Sequence, residues 1–216
     1  MVRDGLLYGI SLVLVAVAVW YGTHFLSLTV FPLLIAAFMV WFFRDPTRRV
    51  PTDPGLIVSP ADGKIEQAEW IETKSGSRVR VSIFLNVFDV HVNRVPVSGV
   101  VTLAEYREGQ FLNAMDAESA VHNEQTLVTV DAGEYSVSFK QIAGLLARRI
   151  ICNLHEGDQV TRGERMGLIK FGSRMDVLLP ASVELRVKAG DRVKGGSSVL
   201  AYMRPGGGSG VSGETR

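Results

Sequence analysis

The strongest constraint on this chain lies near its start: from Gly5 to Phe43 there is no Asp, Glu, Lys or Arg, and Leu, Val, Ala, Ile, Phe and Trp dominate. A stretch of that composition is a membrane segment. As one straight helix it would extend roughly 58 Å at about 1.5 Å per residue, nearly twice a hydrocarbon core of about 30 Å. The polar break Tyr21-Gly22-Thr23-His24 divides it into two apolar runs, Gly5 to Trp20 and Phe25 to Phe43, each near the lower end of spanning length. Residues 1–46 are therefore expected to form a membrane anchor, a transmembrane hairpin of two hydrophobic helices. A cleaved signal peptide fits less well, because the stretch exceeds an apolar region of about 7 to 15 residues and no small-residue cleavage site precedes Arg44. Arg3 stands before the hairpin and Arg44, Arg48 and Arg49 after it, which puts both ends, and the rest of the chain, on the cytoplasmic side of the cell inner membrane. His24 reads as an interfacial loop residue.

Composition narrows the remainder. The 216 residues hold 23 Lys+Arg against 22 Asp+Glu, a net charge of +1, and a mean hydropathy of +0.19. No Lys/Arg run marks a phosphate-backbone stripe, so nucleic acid is not an expected partner. The single cysteine, Cys152, excludes an internal disulfide framework, a CxxC redox pair and a multi-cysteine zinc site. Beyond the anchor the histidines are His91, His122 and His155, without HxH or HExxH spacing, so no metal site is expected. The length suits one folded domain plus an appendage.

After Arg44-Asp45-Pro46 and the Pro51/Pro54 linker, short β-branched runs alternate with Gly, Asp, Asn and Pro, the pattern of a β-rich domain. Candidate strands are Leu56 to Ser59, Gly63 to Ile71, Arg78 to Leu85, Gly99 to Tyr106, Gln125 to Val130, Tyr135 to Ile142 and Ile150 to Leu154, with several more after Gly163. Helical turns are expected at most near Asn86 to Val90 and Ala114 to Ala120. The segment Glu156-Gly157-Asp158-Gln159-Val160-Thr161-Arg162-Gly163 returns 33 residues later as Ala189-Gly190-Asp191-Arg192-Val193-Lys194-Gly195-Gly196. Gly-Asp-x-Val-x-x-Gly is a turn entering a strand and leaving by a second turn, so its return implies two related hairpins. The expected class is mainly β: a barrel- or sandwich-like domain over 47–204 with hammerhead-like hairpins, followed by a flexible Gly/Ser tail, 205–216.

Three segments could carry chemistry, and each has a purely structural alternative. Ser59-Pro60-Ala61-Asp62-Gly63-Lys64 reads as a tight turn in which Asp62-Gly63 supplies the turn chemistry. In the run from Phe84 to Pro96 a hydrophobic strand meets a dense polar cluster, where His91 and Asp89 serve either a turn or a site. Phe171-Gly172-Ser173-Arg174-Met175-Asp176 has an ordinary reading as a strand with a glycine bulge.

Together these segments resemble the phosphatidylserine decarboxylases, in particular the short bacterial and archaeal form with an N-terminal anchor. The resemblance rests on Pro60-Ala61-Asp62-Gly63, on Asp89-Val90-His91-Val92-Asn93-Arg94-Val95-Pro96-Val97-Ser98-Gly99, on Ala147-Arg148-Arg149-Ile150, and on Gly163 to Asp176. It covers nearly the whole chain from Arg44 to Met203. Long-form members carry Leu-Gly-Ser-Thr at the processing site, where this chain has Phe-Gly-Ser-Arg. They also have a second histidine three residues after the first, where this chain has Arg94, so that histidine's role does not transfer.

The resemblance implies a pyruvoyl-dependent proenzyme that cuts itself between Gly172 and Ser173. It makes Ser173 the nucleophile, the pyruvoyl precursor and, later, the Schiff-base carbonyl towards the substrate amine. In the family a histidine oriented by the aspartate of the Pro-Ala-Asp-Gly motif activates that serine, which assigns His91 and Asp62. The reaction implied is decarboxylation of phosphatidylserine to phosphatidylethanolamine, with the pyruvoyl group as a self-derived cofactor. The partners implied are phosphatidylserine in the bilayer and a heterodimer of the chain's own large β and small α pieces, further dimerisation being left open. Arginines suit the substrate's phosphate and carboxylate, Arg94 first and Arg148, Arg149 and Arg174 behind it. His122 and His155 are read as structural or surface residues. Two other classes compete. A membrane-anchored lipoyl- or biotinyl-like carrier or adaptor would explain the Gly-Asp-x-Val echo but needs a Met-Lys-Met-like tip, whereas Lys194 precedes Gly195-Gly196. A membrane serine hydrolase using Ser173, His91 and Asp62 lacks a Gly-x-Ser-x-Gly elbow and requires an intact chain.

Overall fold

The computed structural model of the chain describes residues 3–73, 76–116, 118–145, 149–170 and 172–204. It divides into two units between Thr47 and Arg48. In the first unit the apolar runs form helices α1 (Arg3–Thr23) and α2 (Leu26–Phe42). They run antiparallel, since Gly5 lies against Phe43 and Gly9 against Val40, small residues that let the helices approach closely. The chain reverses at His24, whose φ of 55° lies in the left-handed region. Helix α1 is long and apolar enough to cross a membrane, whereas α2 is an apolar helix of 17 residues.

The second unit is mainly β. Its strands are β1 (Leu56–Val58), β2 (Gly63–Thr73), β3 (Gly76–Leu85), β4 (Val92–Arg94), β5 (Gly99–Arg107), β6 (Gln125–Asp131), β7 (Ser136–Ile142), β8 (Ile150–Cys152), β9 (Gln159–Val160), β10 (Arg165–Ile169), β11 (Ser173–Pro180), β12 (Glu184–Leu185), β13 (Arg192–Val193) and β14 (Val199–Tyr202). A single helical turn, α3 (Ser119–His122), precedes β6. The helical turn expected near Asn86 to Val90 is a non-helical turn, and the one expected over Ala114 to Ala120 begins later, at Ser119. An eight-stranded antiparallel sheet has the order β13-β2-β3-β11-β7-β6-β5-β9, and two three-stranded sheets have the orders β1-β14-β12 and β4-β10-β8.

Period-two alternation places the core. On β3, Val79, Val81, Ile83 and Leu85 are buried in one cluster with Val137 and Phe139 of β7 and with Met175, Val177 and Leu179 of β11. Each such side chain contributes about 1.5–3 kcal/mol on full burial. A one-residue slip of β11 would exchange this apolar row for Arg174 and Asp176, which fixes the register of Ser173 opposite Leu85.

The two ends of the long sheet are built alike. Arg192 and Val193 of β13 pair with Lys64 and Gly63, and Gln159 and Val160 of β9 pair with Val100 and Gly99. Each short strand follows a Gly-Asp turn: Asp191 accepts from the Lys188 amide at 2.9 Å, and Asp158 from the His155 amide at 2.7 Å. The three-stranded sheets repeat as well, with Asn93 facing Gly167 and Gly167 facing Cys152 where Ile57 faces Ala201 and Ala201 faces Leu185. The halves interlock reciprocally, the Val58 amide donating to the Pro96 carbonyl at 3.0 Å and the Arg94 amide to the Pro60 carbonyl at 2.8 Å. The sequence echo is thus one part of an approximate internal two-fold.

Candidate active site

Ser173 occupies the first position of β11, in phase with Met175, Val177 and Leu179, so alternation turns its side chain to the core. It is fully buried, and its Oγ has no hydrogen-bond partner among the described residues. A buried hydroxyl without a partner costs free energy and points to a functional demand at that position. Gly172 before it has φ of +67°, and a Cβ there would meet nothing within 4 Å. A side chain would therefore be opposed by backbone conformation, at about 1–2 kcal/mol, and not by crowding.

His91 lies against the Gly172 amide. Its Nε2 accepts from the Gly172 amide at 3.4 Å, and its Nδ1 lies 3.0 Å from the Asp89 carbonyl. A carbonyl only accepts and an amide N–H only donates, so both contacts require the neutral tautomer protonated on Nδ1. That points the Nε2 lone pair at the Gly172 amide nitrogen, one residue before Ser173, on a ring that is 2% exposed.

Asp62 is held differently from the expectation that it orients His91. Both its oxygens accept from Arg48 Nη2 at 2.8 Å, and Oδ1 also accepts from the Gly195 amide at 2.8 Å. The group that receives the Nδ1 proton of His91 is instead the Asp89 backbone. Asp62 therefore closes the β1–β2 turn onto the segment just past β13 and binds the arginine that opens this unit. The equivalent position in the other half is Ser98, whose Oγ accepts from the Arg162 amide at 2.9 Å.

The candidate substrate arginines separate. Arg174 is buried and bidentate to Asp176, Nε–Oδ1 at 2.6 Å and Nη2–Oδ2 at 3.1 Å, with a further bond from Nη2 to Ser82 Oγ at 2.9 Å. Arg94 is also buried and donates from Nη1 to the Gly163 carbonyl at 2.9 Å. Arg149 is exposed, and its carbonyl accepts from the Lys170 amide at 3.4 Å, at the end of the strand that leads to Gly172. Arg148 lies outside the described residues. Across from Asp176, burial holds the Lys140 ammonium below the usual lysine range, partly offset by the Asp176 charge. A cavity of about 170 Å³ on this polar face of β11 is lined by Gln67, Ser82, Met115 and Arg174 among others. His122 and His155 are exposed. Burial pushes the Cys152 thiol up, which keeps it protonated and a poor nucleophile.

Four features escaped sequence reasoning. Arg48 is the ion partner of Asp62, and the Asp89 carbonyl is the acceptor for His91. Gly144 lies so near the Gly172–Ser173 peptide that a Cβ on it would stand 2.3 Å from the Gly172 carbonyl oxygen. Gln141, in phase with Val137 and Phe139 and paired with Met175, donates to Asn93 Oδ1 at 2.9 Å, leaving Gln141 Oε1 and Asn93 Nδ2 buried without partners among the described residues. For Gln141 a signal was present, since a polar residue at a core-facing strand position parallels Ser173 itself.

The family model for phosphatidylserine decarboxylase matches residues 35–201. A phosphatidylserine decarboxylase proenzyme of Solibacter usitatus is 47% identical over 201 residues, covering 93% of this chain and 95% of the relative. Proenzymes of the same name from Chlorobium chlorochromatii and Desulfotalea psychrophila are 48% and 44% identical, covering 79% and 82% of this chain and 81% and 84% of their own lengths. A match of that extent means that the protein belongs to the phosphatidylserine decarboxylase family.

Proposed function

We propose that the chain decarboxylates phosphatidylserine to phosphatidylethanolamine after cutting itself between Gly172 and Ser173 and turning Ser173 into a pyruvoyl group. The observation that carries the reading is the buried, partnerless Ser173 hydroxyl beside a left-handed Gly172 and the accepting Nε2 of His91. A residue to be converted into a carbonyl at a new chain end fits this position, because no hydrogen bond holds its hydroxyl among the described residues.

His91 Nε2 takes the Ser173 hydroxyl proton as Oγ attacks the Gly172 carbonyl carbon. The Gly172–Ser173 C–N bond breaks, the nitrogen gains a proton, and an ester joins Gly172 to Ser173 Oγ. Loss of the Ser173 α-proton and cleavage of Cβ–Oγ release the Gly172 carboxylate and leave dehydroalanine, which water hydrolyses with loss of ammonia. The products are a β chain ending at Gly172 and an α chain beginning at the former Ser173. The pyruvoyl group supplies an electron-accepting carbonyl for the bond broken when CO2 leaves.

Substrate recognition falls first to Arg149, which is exposed, whereas Arg174 and Arg94 already hold internal partners. Asp62 acts by fixing its turn, with Arg48 and Gly195. The apolar helices keep the domain where a diacyl substrate resides, with the arginines on both sides of the hairpin favouring the cytoplasmic face of the inner membrane.

The test is turnover of phosphatidylserine in detergent micelles by the purified protein. Release of CO2 with formation of phosphatidylethanolamine, abolished in Ser173→Ala, is expected. Release of fatty acid or free serine without CO2 would favour a hydrolase.

A further inference from the structure

The Asp62-oriented histidine that the family suggests leaves unexplained how His91 is held here, and the turn before it supplies an answer. Asn86 and Asp89 lock this turn reciprocally: the Asp89 amide donates to the Asn86 carbonyl and the Asn86 amide to Asp89 Oδ2, both at 3.0 Å. The Phe88 amide donates to Asn86 Oδ1 at 2.7 Å. The remaining carboxylate oxygen, Asp89 Oδ1, accepts from Arg192 Nη1 at 3.1 Å. The Asp89 side chain is 11% exposed and that of Arg192 64%, so the pair closes the turn from its outer side. With both carboxylate oxygens engaged, the Asp89 carbonyl is fixed as the acceptor for His91 Nδ1–H.

We infer that Asp89, clamped by Arg192, is a positioning residue that sets the tautomer of His91 and holds its Nε2 against the Gly172 amide, next to Ser173. Arg192 sits in the second copy of the Gly-Asp-x-Val echo, and the same place in the first copy is Gln159, which has no charge to offer a carboxylate. One of two matching turns thus carries the side chain that reaches the histidine's turn, a difference between the halves that packing of β9 and β13 does not require. A carbonyl orients an imidazole as well as a carboxylate does, provided its own peptide cannot rotate, and the Asn86–Asp89 turn supplies that restraint.

The inference rests on His91 being the base at Ser173, so the test separates the two. Full-length protein in detergent is followed for the rate at which it becomes two chains, with the unfolding midpoint recorded for every variant. Asp89→Ala is expected to slow processing about tenfold or more, since it removes the Asn86 and Arg192 contacts together. Arg192→Gln is expected to slow it about two- to fivefold, the range an exposed ion pair allows, and Arg192→Lys to restore most of the rate. Asp89→Ala with Arg192→Gln should be no slower than Asp89→Ala alone. Gln159→Ala should process as the parent does. The second readout is the nitrogen NMR spectrum of His91 in an uncleavable Ser173→Ala background: a single tautomer protonated on Nδ1 is expected, becoming a mixture when Asp89→Ala is added. Unchanged processing in Asp89→Ala and Arg192→Gln, or an unchanged single tautomer in Asp89→Ala, overturns the inference. A His91→Asn protein that still cuts itself would remove the base reading, and the relay would then stand or fall on the tautomer measurement.

Discussion

The two ends of the β domain share a backbone plan and differ in side chains. At each end a Gly-Asp turn leads into a two-residue strand, and a short polar side chain across from it accepts a backbone amide: Asp62 from Gly195, Ser98 from Arg162. In the Ser98 half the turn is tied further by Arg162 Nη1, which donates to the Leu56 carbonyl at 2.7 Å, and by Glu164, which accepts from the Thr161 amide at 2.8 Å. The Asp62 half adds Arg48 on the carboxylate and Arg192 on Asp89, and its turn lies beside the histidine segment that meets Gly172. The shared hydrogen bonds belong to the backbone plan, and on the proposed function the added charges would serve the Gly172–Ser173 peptide. A repeated supersecondary unit can therefore keep its geometry while one copy is specialised by a few substitutions at its rim.

Exchanging the differing residues tests that division. Asp62→Ser gives the Asp62 half the other half's side chain and strands Arg48, whose side chain is 9% exposed, without its carboxylate. The expected result is a loss of about 3 kcal/mol in urea unfolding and a drop of about a hundredfold or more in self-processing. Combining it with Arg48→Met should recover most of the stability, because an apolar side chain replaces a buried charge, but not the processing. If the double variant cut itself at the parent rate, the charges would be structural only. Gly144→Ala is expected to act next most strongly, slowing processing about ten- to a hundredfold as its Cβ displaces the Gly172 carbonyl, with the time course of two-chain product as the readout. Ser98→Ala should cost the least, under about 1 kcal/mol for one exposed side-chain hydrogen bond, with processing unchanged. A large processing defect there would show that both halves serve the site.

Much of this was legible in the sequence, for identifiable reasons. Absence of charge from Gly5 to Phe43 and a polar break gave two helices, which the structure forms as Arg3–Thr23 and Leu26–Phe42. Alternating β-branched residues marked the long strands, so the expected Arg78 to Leu85 corresponds to Gly76–Leu85. Strand β4 was missed because three residues inside a polar cluster carry no period to read. The echo announced two related hairpins, but their interlocking through Val58 with Pro96 and Arg94 with Pro60 depends on backbone contacts that no side-chain pattern records. Motifs brought Ser173, Gly172 and His91 forward, and in the structure the His91 ring lies against the Gly172 amide, one residue before Ser173. The partners of Asp62 and His91 were hidden because Arg48 and the Asp89 carbonyl are joined to them by tertiary geometry alone. Arg174, attractive as a cation beside the serine, proved to be paired with Asp176 two residues away, on the face of β11 opposite Ser173.

The most direct test of the central claim is the intact mass of the purified protein, with and without borohydride reduction, beside Ser173→Ala. Two chains divided between Gly172 and Ser173, the smaller bearing a reducible N-terminal carbonyl, and an uncut variant are the expected result. A single uncut wild-type chain, active or not on phosphatidylserine, would contradict it.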